Sequence, residues 1–226
     1  MSWVSKTLNS TLGKKLLMSL TGLFLILFLV VHLAGNLQLL IPDGGESFNI
    51  YAETMANNPF IRIVSIGNFA FILLHVVYSI ILSLQNKSAR PIGYAVSGAS
   101  TNSPWSSRNM GILGTLILIF LLVHLKSFWY EFKFGEIPTA VYEGVTYKDG
   151  FKVVAEIYSQ PIYVLFYVLS MGILGFHLSH GFASAFQTLG LNHVKYSPII
   201  KKVGLWFSIL IPALFALIPI MMYLKS

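Results

Sequence analysis

His32, His75, His124 and His177 each stand inside a separate long apolar run of this 226-residue chain. An ionisable side chain in the hydrocarbon layer is costly, which makes it a candidate for function before packing. Neutral imidazole is also a preferred axial ligand of haem iron. Four helices carrying one such histidine each could hold two bis-histidine b-type haems. The plain alternative is that a membrane histidine simply hydrogen-bonds to a neighbouring helix. Comparing the depths of the four residues separates these readings, and depth depends on the elements that carry them.

The chain is 55% hydrophobic and 10% charged, too apolar for an ordinary soluble domain. It contains no cysteine, which excludes thiolate-held iron–sulfur clusters, disulfides and haem attached through Cys-x-x-Cys-His. The net charge of +7 does not point to nucleic acid here, because in a membrane protein the distribution of charge matters more than its sum. Apolar runs near the ~20 residues needed to cross a bilayer predict helices at about 16–40, 61–84, 109–130, 160–186 and 203–224. The expected fold is therefore an all-α membrane protein, a five-helix transmembrane bundle forming one domain over residues 1–226. The first run is long for a signal core and no small-residue cleavage site follows it, so it is kept as a span. Val4, Leu8 and Leu12, with Trp3 beside them, predict a short helix on the membrane surface before it. Pro212 and Pro219 are tolerated in the last span because neighbouring helices can satisfy the backbone they free.

Orientation follows from the loops. With the N-terminus inside, the inner segments carry Lys6, Lys14, Lys15, Lys87, Arg90, Arg108, Lys195, Lys201 and Lys202. The outer segments receive Arg62, Lys126, Lys133, Lys148, Lys152 and Lys225, together with all eight acidic residues. The Lys/Arg bias favours N-in and C-out, and the one-sided carboxylates agree. No Asp or Glu falls within a predicted span. The inner loop 85–107, rich in Gly, Ser, Asn and Pro, reads as irregular polar chain. In the outer loop 131–159, residues 140–147 predict a hairpin, and Asp149 is placed to cap a short helix containing Phe151, Val154 and Tyr158.

Along these helices His32 and His124 lie roughly 24 Å from the inner end, and His75 and His177 roughly 10–14 Å from it, at about 1.5 Å per residue. The four thus sort into an outer and an inner pair, each able to clamp a flat macrocycle from both faces. Gly35, Gly67, Gly111, Gly114, Gly172 and Gly175 would admit a large ring close to the helices, although small residues also pack membrane helices without any cofactor. His180, one turn from His177, could compete for the ligand role, bond a propionate or be interfacial polarity. His193 falls in an inner loop. Trp3, Trp105, Trp129 and Trp206 near the span ends read as interfacial anchors.

Several segments resemble the cytochrome b membrane anchor of succinate:quinone oxidoreductases in its single-polypeptide, five-helix, dihaem b558 form. They are Val-His-Leu-Ala-Gly-Asn at 31–36, Leu-Leu-His-Val-Val-Tyr at 73–78, Ser-Arg-Asn-Met-Gly-Ile-Leu-Gly at 107–114, Val-His-Leu at 123–125 and Phe-His-Leu-Ser-His-Gly-Phe at 176–182. Phe-Asn at 48–49 and Asn-Pro-Phe at 58–60 are also similar, and the outer loop 131–159 is the least typical part. The resemblance implies two haem b groups, with His75 and His177 as axial ligands of the inner one and His32 and His124 of the distal one. It implies partners on the cytoplasmic face, an iron–sulfur subunit and a flavoprotein subunit that oxidises succinate or reduces fumarate, in the inner membrane of a bacterium. This chain would pass electrons to or from quinone, menaquinone or ubiquinone, and not act on succinate by itself. Some relatives carry a proton-conducting glutamate two residues before the last ligand, where this chain has Gly175. Asp43, Glu46 and Glu53, in the outer loop near the distal level, are candidates for proton exchange with quinone or are exposed loop charges. The competing readings are the haem b subunit of another respiratory dehydrogenase, a non-haem transporter using a histidine relay, and a haem-free structural anchor.

Overall fold

The computed structural model describes residues 2–89, 92 and 98–226. A short surface helix α1 (Trp3–Asn9) ends at Ser10, whose hydroxyl caps α2 (Thr11–Asn36) by accepting from the Gly13 N–H. Trp3, Leu8 and Leu12 on this segment are exposed, as a membrane-lying face requires. The side chain of Val4 lies outside the described residues. α2 tightens into a 3₁₀ turn at Leu37–Leu40, and α3 (Glu46–Asn57) follows. The end of the bundle that carries α3 is called outer and the end that carries α1 inner, after the orientation expected from the loop charges. Asn58 then caps α4 (Pro59–Ser88), with Pro59 in the first turn where a missing N–H costs nothing.

On the inner side come the single turns α5 (Ala99–Asn102) and α6 (Trp105–Arg108). The loop expected to be irregular is therefore partly helical, since α4 runs to Ser88 and two turns precede the next span; Arg90 and residues 93–97 lie outside the described residues. α7 (Met110–His124) continues without a break through a π-helical turn at Leu125–Tyr130 into α8 (Glu131–Phe134). The hairpin pairs β1 (Thr139–Tyr142) with β2 (Val145–Lys148) through Glu143 and Gly144, both at positive φ, as the hairpin turn demands. Asp149 caps α9 (Gly150–Tyr158) by accepting from the Lys152 N–H. α10 (Pro161–Thr188) and α11 (Ser197–Leu224) complete the chain.

Five helical stretches are long and apolar enough to cross a membrane: Thr11–Leu40, Pro59–Ser88, Met110–Phe134, Pro161–Thr188 and Ser197–Leu224. The third is longer than its apolar run and takes in Glu131, so a carboxylate does lie within a spanning helix, at its outer end and ion-paired with Lys126. α10 is the central staff and packs against α11, α2 and α7, whereas α4 leans on α2 and scarcely touches α7.

Two of the glycines expected to admit a macrocycle pack helices instead. A Cβ on Gly35 would stand 2.7 Å from the Tyr51 ring. At Gly175 it would stand 3.0 Å from the Ser208 carbonyl, which Pro212 leaves without its helical N–H donor. Gly67, Gly111, Gly114 and Gly172 differ, for open space lies where each Cβ would be.

The outer end is tied together by Asn49, 1% exposed. Its amide N–H donates to Tyr142 Oη (2.9 Å) and Asp149 Oδ1 (3.0 Å), and its carbonyl accepts from the Phe151 N–H (2.9 Å). One side chain thus joins α3, the hairpin and α9. Burial pushes the Tyr158 phenol beneath this hub well above its ordinary pKa.

Candidate functional site

The outer level joins α2 to the end of α7. His32 and His124 face each other with ring centres 5.8 Å apart and planes at 86°. Phe28 stacks on His32 at 5.1 Å, Phe215 lies 5.7 Å from it, and Phe120 and Phe128 flank His124 at 5.6 and 5.3 Å. The Tyr167 hydroxyl of α10 stands 3.5 Å from His124 Nδ1. Asn36 donates to the His32 backbone carbonyl at 2.7 Å, which brings its amide over the ring of the same residue.

The inner level joins α4 to α10. His75 and His177 face each other at 6.4 Å with planes at 65°. Thr21 of α2 lies 3.2 Å from His75 Nδ1, while the buried Nδ1 of His177 has no hydrogen-bond partner among the described residues. His180 is half-buried and makes no ring contact with His75 among the described residues, so the imidazole facing His75 is that of His177.

The two levels are well separated. Tyr167, beside the outer pair, and His177 are ten residues apart on α10, about 15 Å along the helix. The same interval follows on α2 from Thr21 to His32, about 16 Å.

An imidazole nitrogen binds a transition metal at about 2 Å, and the ring centre lies about 1.1 Å behind it, so two imidazoles on one metal have centres about 6 Å apart. Both pairs match that spacing. Among the described residues no three metal-ligating side chains converge, which leaves no cage for a bare ion. A haem would need only two imidazoles from the protein; open space lies beside the half-buried Gly67 and Gly114, whereas Gly111 and Gly172 stand on the exposed surface. The side chains present fit such a group.

The three outer-loop acids are each engaged locally. Asp43 accepts from the Gly45 and Ser47 N–H groups at 2.9 Å and shapes the turn into α3. A hydrogen bond from the Ser47 side chain holds its carboxyl below the ordinary range, so it stays ionised. Glu53 accepts from the Lys148 N–H at 3.3 Å, and Glu46 lies in the first turn of α3, where a negative charge suits the helix dipole. A cavity of about 400 Å³ opens instead between the π turn, α9 and the start of α10. Lys126, Ser127, Glu131, Gln160 and Tyr163 stand in its wall. Sequence reasoning missed Thr21, Tyr167 and this cavity; the only signal for the first two is a polar group in an apolar helix.

No family model, characterised protein or solved structure matches the chain.

Proposed function

We propose that this chain is the dihaem cytochrome b anchor of a succinate:quinone oxidoreductase, carrying electrons between an iron–sulfur partner at its inner face and quinone in the membrane. The observation that carries the reading is the meeting of four histidines from four helices as two pairs, at spacings suited to bis-imidazole ligation. Haem, when bound, supplies a one-electron couple at each level.

The chain's own residues do the rest. His32 and His124 hold the outer group and His75 and His177 the inner one. The phenyl rings of Phe28, Phe120, Phe128 and Phe215 exclude water from the outer pair. At the inner face Lys6, Lys14, Lys15, Lys87, Lys195, Lys201 and Lys202 have no carboxylate within ion-pair distance among the described residues. This suits docking of an acidic partner surface, here the iron–sulfur subunit that carries the flavoprotein. The outer cavity has the size of a small-molecule site and adjoins the outer pair, because Ser127 follows His124 by three residues and Tyr163 precedes Tyr167 by four. Quinone fits there better than at Asp43 or Glu53, whose carboxylates are engaged, and Lys126 with Glu131 can exchange protons with it.

A reduced-minus-oxidised spectrum with a haem assay on the purified protein tests the reading. Two low-spin b haems per chain are expected, and a chain without haem would refute it.

A further inference from the structure

The Thr21 hydroxyl is 3% exposed and touches three groups. It lies 2.9 Å from the Leu17 carbonyl, 3.0 Å from the Met18 carbonyl and 3.2 Å from His75 Nδ1. A hydroxyl has one proton to give and two lone pairs with which to accept. Both carbonyls are acceptors only and are the nearer partners, so the proton goes to them. Toward His75, Thr21 is left as an acceptor, and the Met18 carbonyl, itself only an acceptor, is a second partner of the same ring, so Nδ1 must be the nitrogen that carries hydrogen. The lone pair of His75 is thereby confined to Nε2.

The ring is fixed in place as well as in tautomer. It lies against the backbone of α2 at Gly22, where a Cβ would come within 3.4 Å of His75 Cε1 and 3.8 Å of Nδ1. Among the described residues no such arrangement supports His177, whose Nδ1 is buried without a partner there. The two rings of the inner pair are therefore unequal: one is held and polarised by a neighbouring helix and the other is not.

We propose that Thr21 is a positioning residue for His75, setting its Nδ1–H tautomer and strengthening Nε2 as an electron donor toward a metal. The donor effect rests on the dihaem reading; the tautomer does not. A ring N–H given to an acceptor makes the opposite nitrogen more basic, and such partners tune affinity and potential at histidine-ligated metals. A stronger donor favours the oxidised metal, so losing the hydroxyl should raise the inner potential.

The first test needs no variant. Nitrogen-15 histidine spectra of the reduced full-length protein in lipid nanodiscs, with the His75 signal assigned by its loss in His75→Ala, should show hydrogen on Nδ1. Hydrogen on Nε2 would overturn the proposal whether or not haem is present.

The second test is a redox titration of Thr21→Val, which keeps the branched shape and removes the hydroxyl. The inner couple should favour reduction about tenfold more, about 59 mV for one electron, while the outer couple in the same molecule stays fixed. Thr21→Ser should restore the original value. Unchanged potentials with lowered thermal stability would reduce Thr21 to a packing contact and overturn the proposed tuning, leaving the dihaem reading intact. Wild-type protein without haem would overturn the dihaem reading and the donor effect together, and the tautomer would stand or fall on the nitrogen spectra.

Discussion

Around the outer histidine pair the buried core is continuous. Leu33, Val164, Tyr167 and Ile218 of the spanning helices join Phe48, Val154 and Tyr158 of the outer segments. In the inner half the buried cluster is smaller, Ile26, Leu178 and Phe182, with Leu82, Leu113 and Ala185 buried apart from it. The outer end is closed by its own loops through Asn49, whereas the inner end shows Val194 at 94% and Tyr196 at 54% exposure beside lysines that have no ionic partner among the described residues. The outer level is thus finished within one chain. In the proposed function, the inner level is the half left for the iron–sulfur subunit to complete.

The largest expected effect separates the levels. If the chain is the proposed dihaem anchor, His177→Ala should remove one of two haems and weaken docking of the iron–sulfur subunit, which that reading sets against the inner level. His124→Ala should remove the other haem and leave docking intact. His180→Ala should keep both, because the ring facing His75 belongs to His177. Haem content and co-purification of the partner measure this, and a His180→Ala protein missing a haem would reverse the ligand assignment.

Next in size is the outer hub. Asn49→Ala strips partners from the Tyr142 hydroxyl, Asp149 and the Phe151 N–H, at roughly 1–3 kcal/mol for each group left buried and unsatisfied. The melting temperature should fall, and the outer haem should be released before the inner one during heating. Loss of the inner haem first would erase the contrast between the halves.

How much of this was legible from residues alone follows from the range of the forces involved. The spans, the hairpin at 140–147 and the Asp149 cap are written in local periodicity and turn chemistry, and the structure contains all three. Depth along a helix is also local arithmetic, which is why it sorted the histidines into the two pairs that now face each other. Asn49 was visible only as part of a Phe-Asn motif, because its partners lie about 100 residues away. α3 was missed because its sequence, Glu-Ser-Phe-Asn-Ile-Tyr-Ala-Glu-Thr-Met-Ala-Asn, is polar enough to read as loop. Gly35 and Gly175 misled because a glycine records close approach without saying what approaches.

A smaller effect concerns coupling to membrane voltage. The two levels are about 15 Å apart, half of an apolar layer about 30 Å thick, so one electron crossing between them senses roughly half of the ~2.3 kcal/mol per 100 mV of full transit. Gly175 carries no side chain that could conduct a proton, and its backbone packs closely on the Ser208 carbonyl. With the cytoplasm negative, outward electron flow is downhill. Succinate–quinone turnover in vesicles at fixed quinone poise should therefore slow several-fold when the potential collapses, with no uncoupler effect on solubilised complex. Equal vesicle rates would place a compensating proton path elsewhere in the complex.

Smallest of all is the turn before α3. The Asp43 carboxyl is held below its ordinary pKa by Ser47, so it stabilises the fold above that ordinary value, and the contribution is lost as pH falls through the lowered one. Asp43→Asn should lower the melting temperature slightly at neutral pH and not at all in strong acid. A difference that persists in acid would assign the effect to the shape of the turn and not to its charge.

The π turn at Leu125–Tyr130 amounts to a phase slip in a screw. Each residue advances an α-helix by about 100°, and a wider turn lodges an extra residue without breaking the rod. The thread before the slip aims His124 inward, and the slip itself sets Phe128 against both His124 and Tyr158 while Lys126 and Ser127 reach the cavity wall. Removing one residue from the slip would restore a uniform pitch and turn everything beyond it by about a quarter of a revolution or more. His124 would keep its bearing while the mouth above it was re-aimed. A chain of this design can thus alter what meets its outer face by gaining or losing a single residue, without disturbing the histidine beneath.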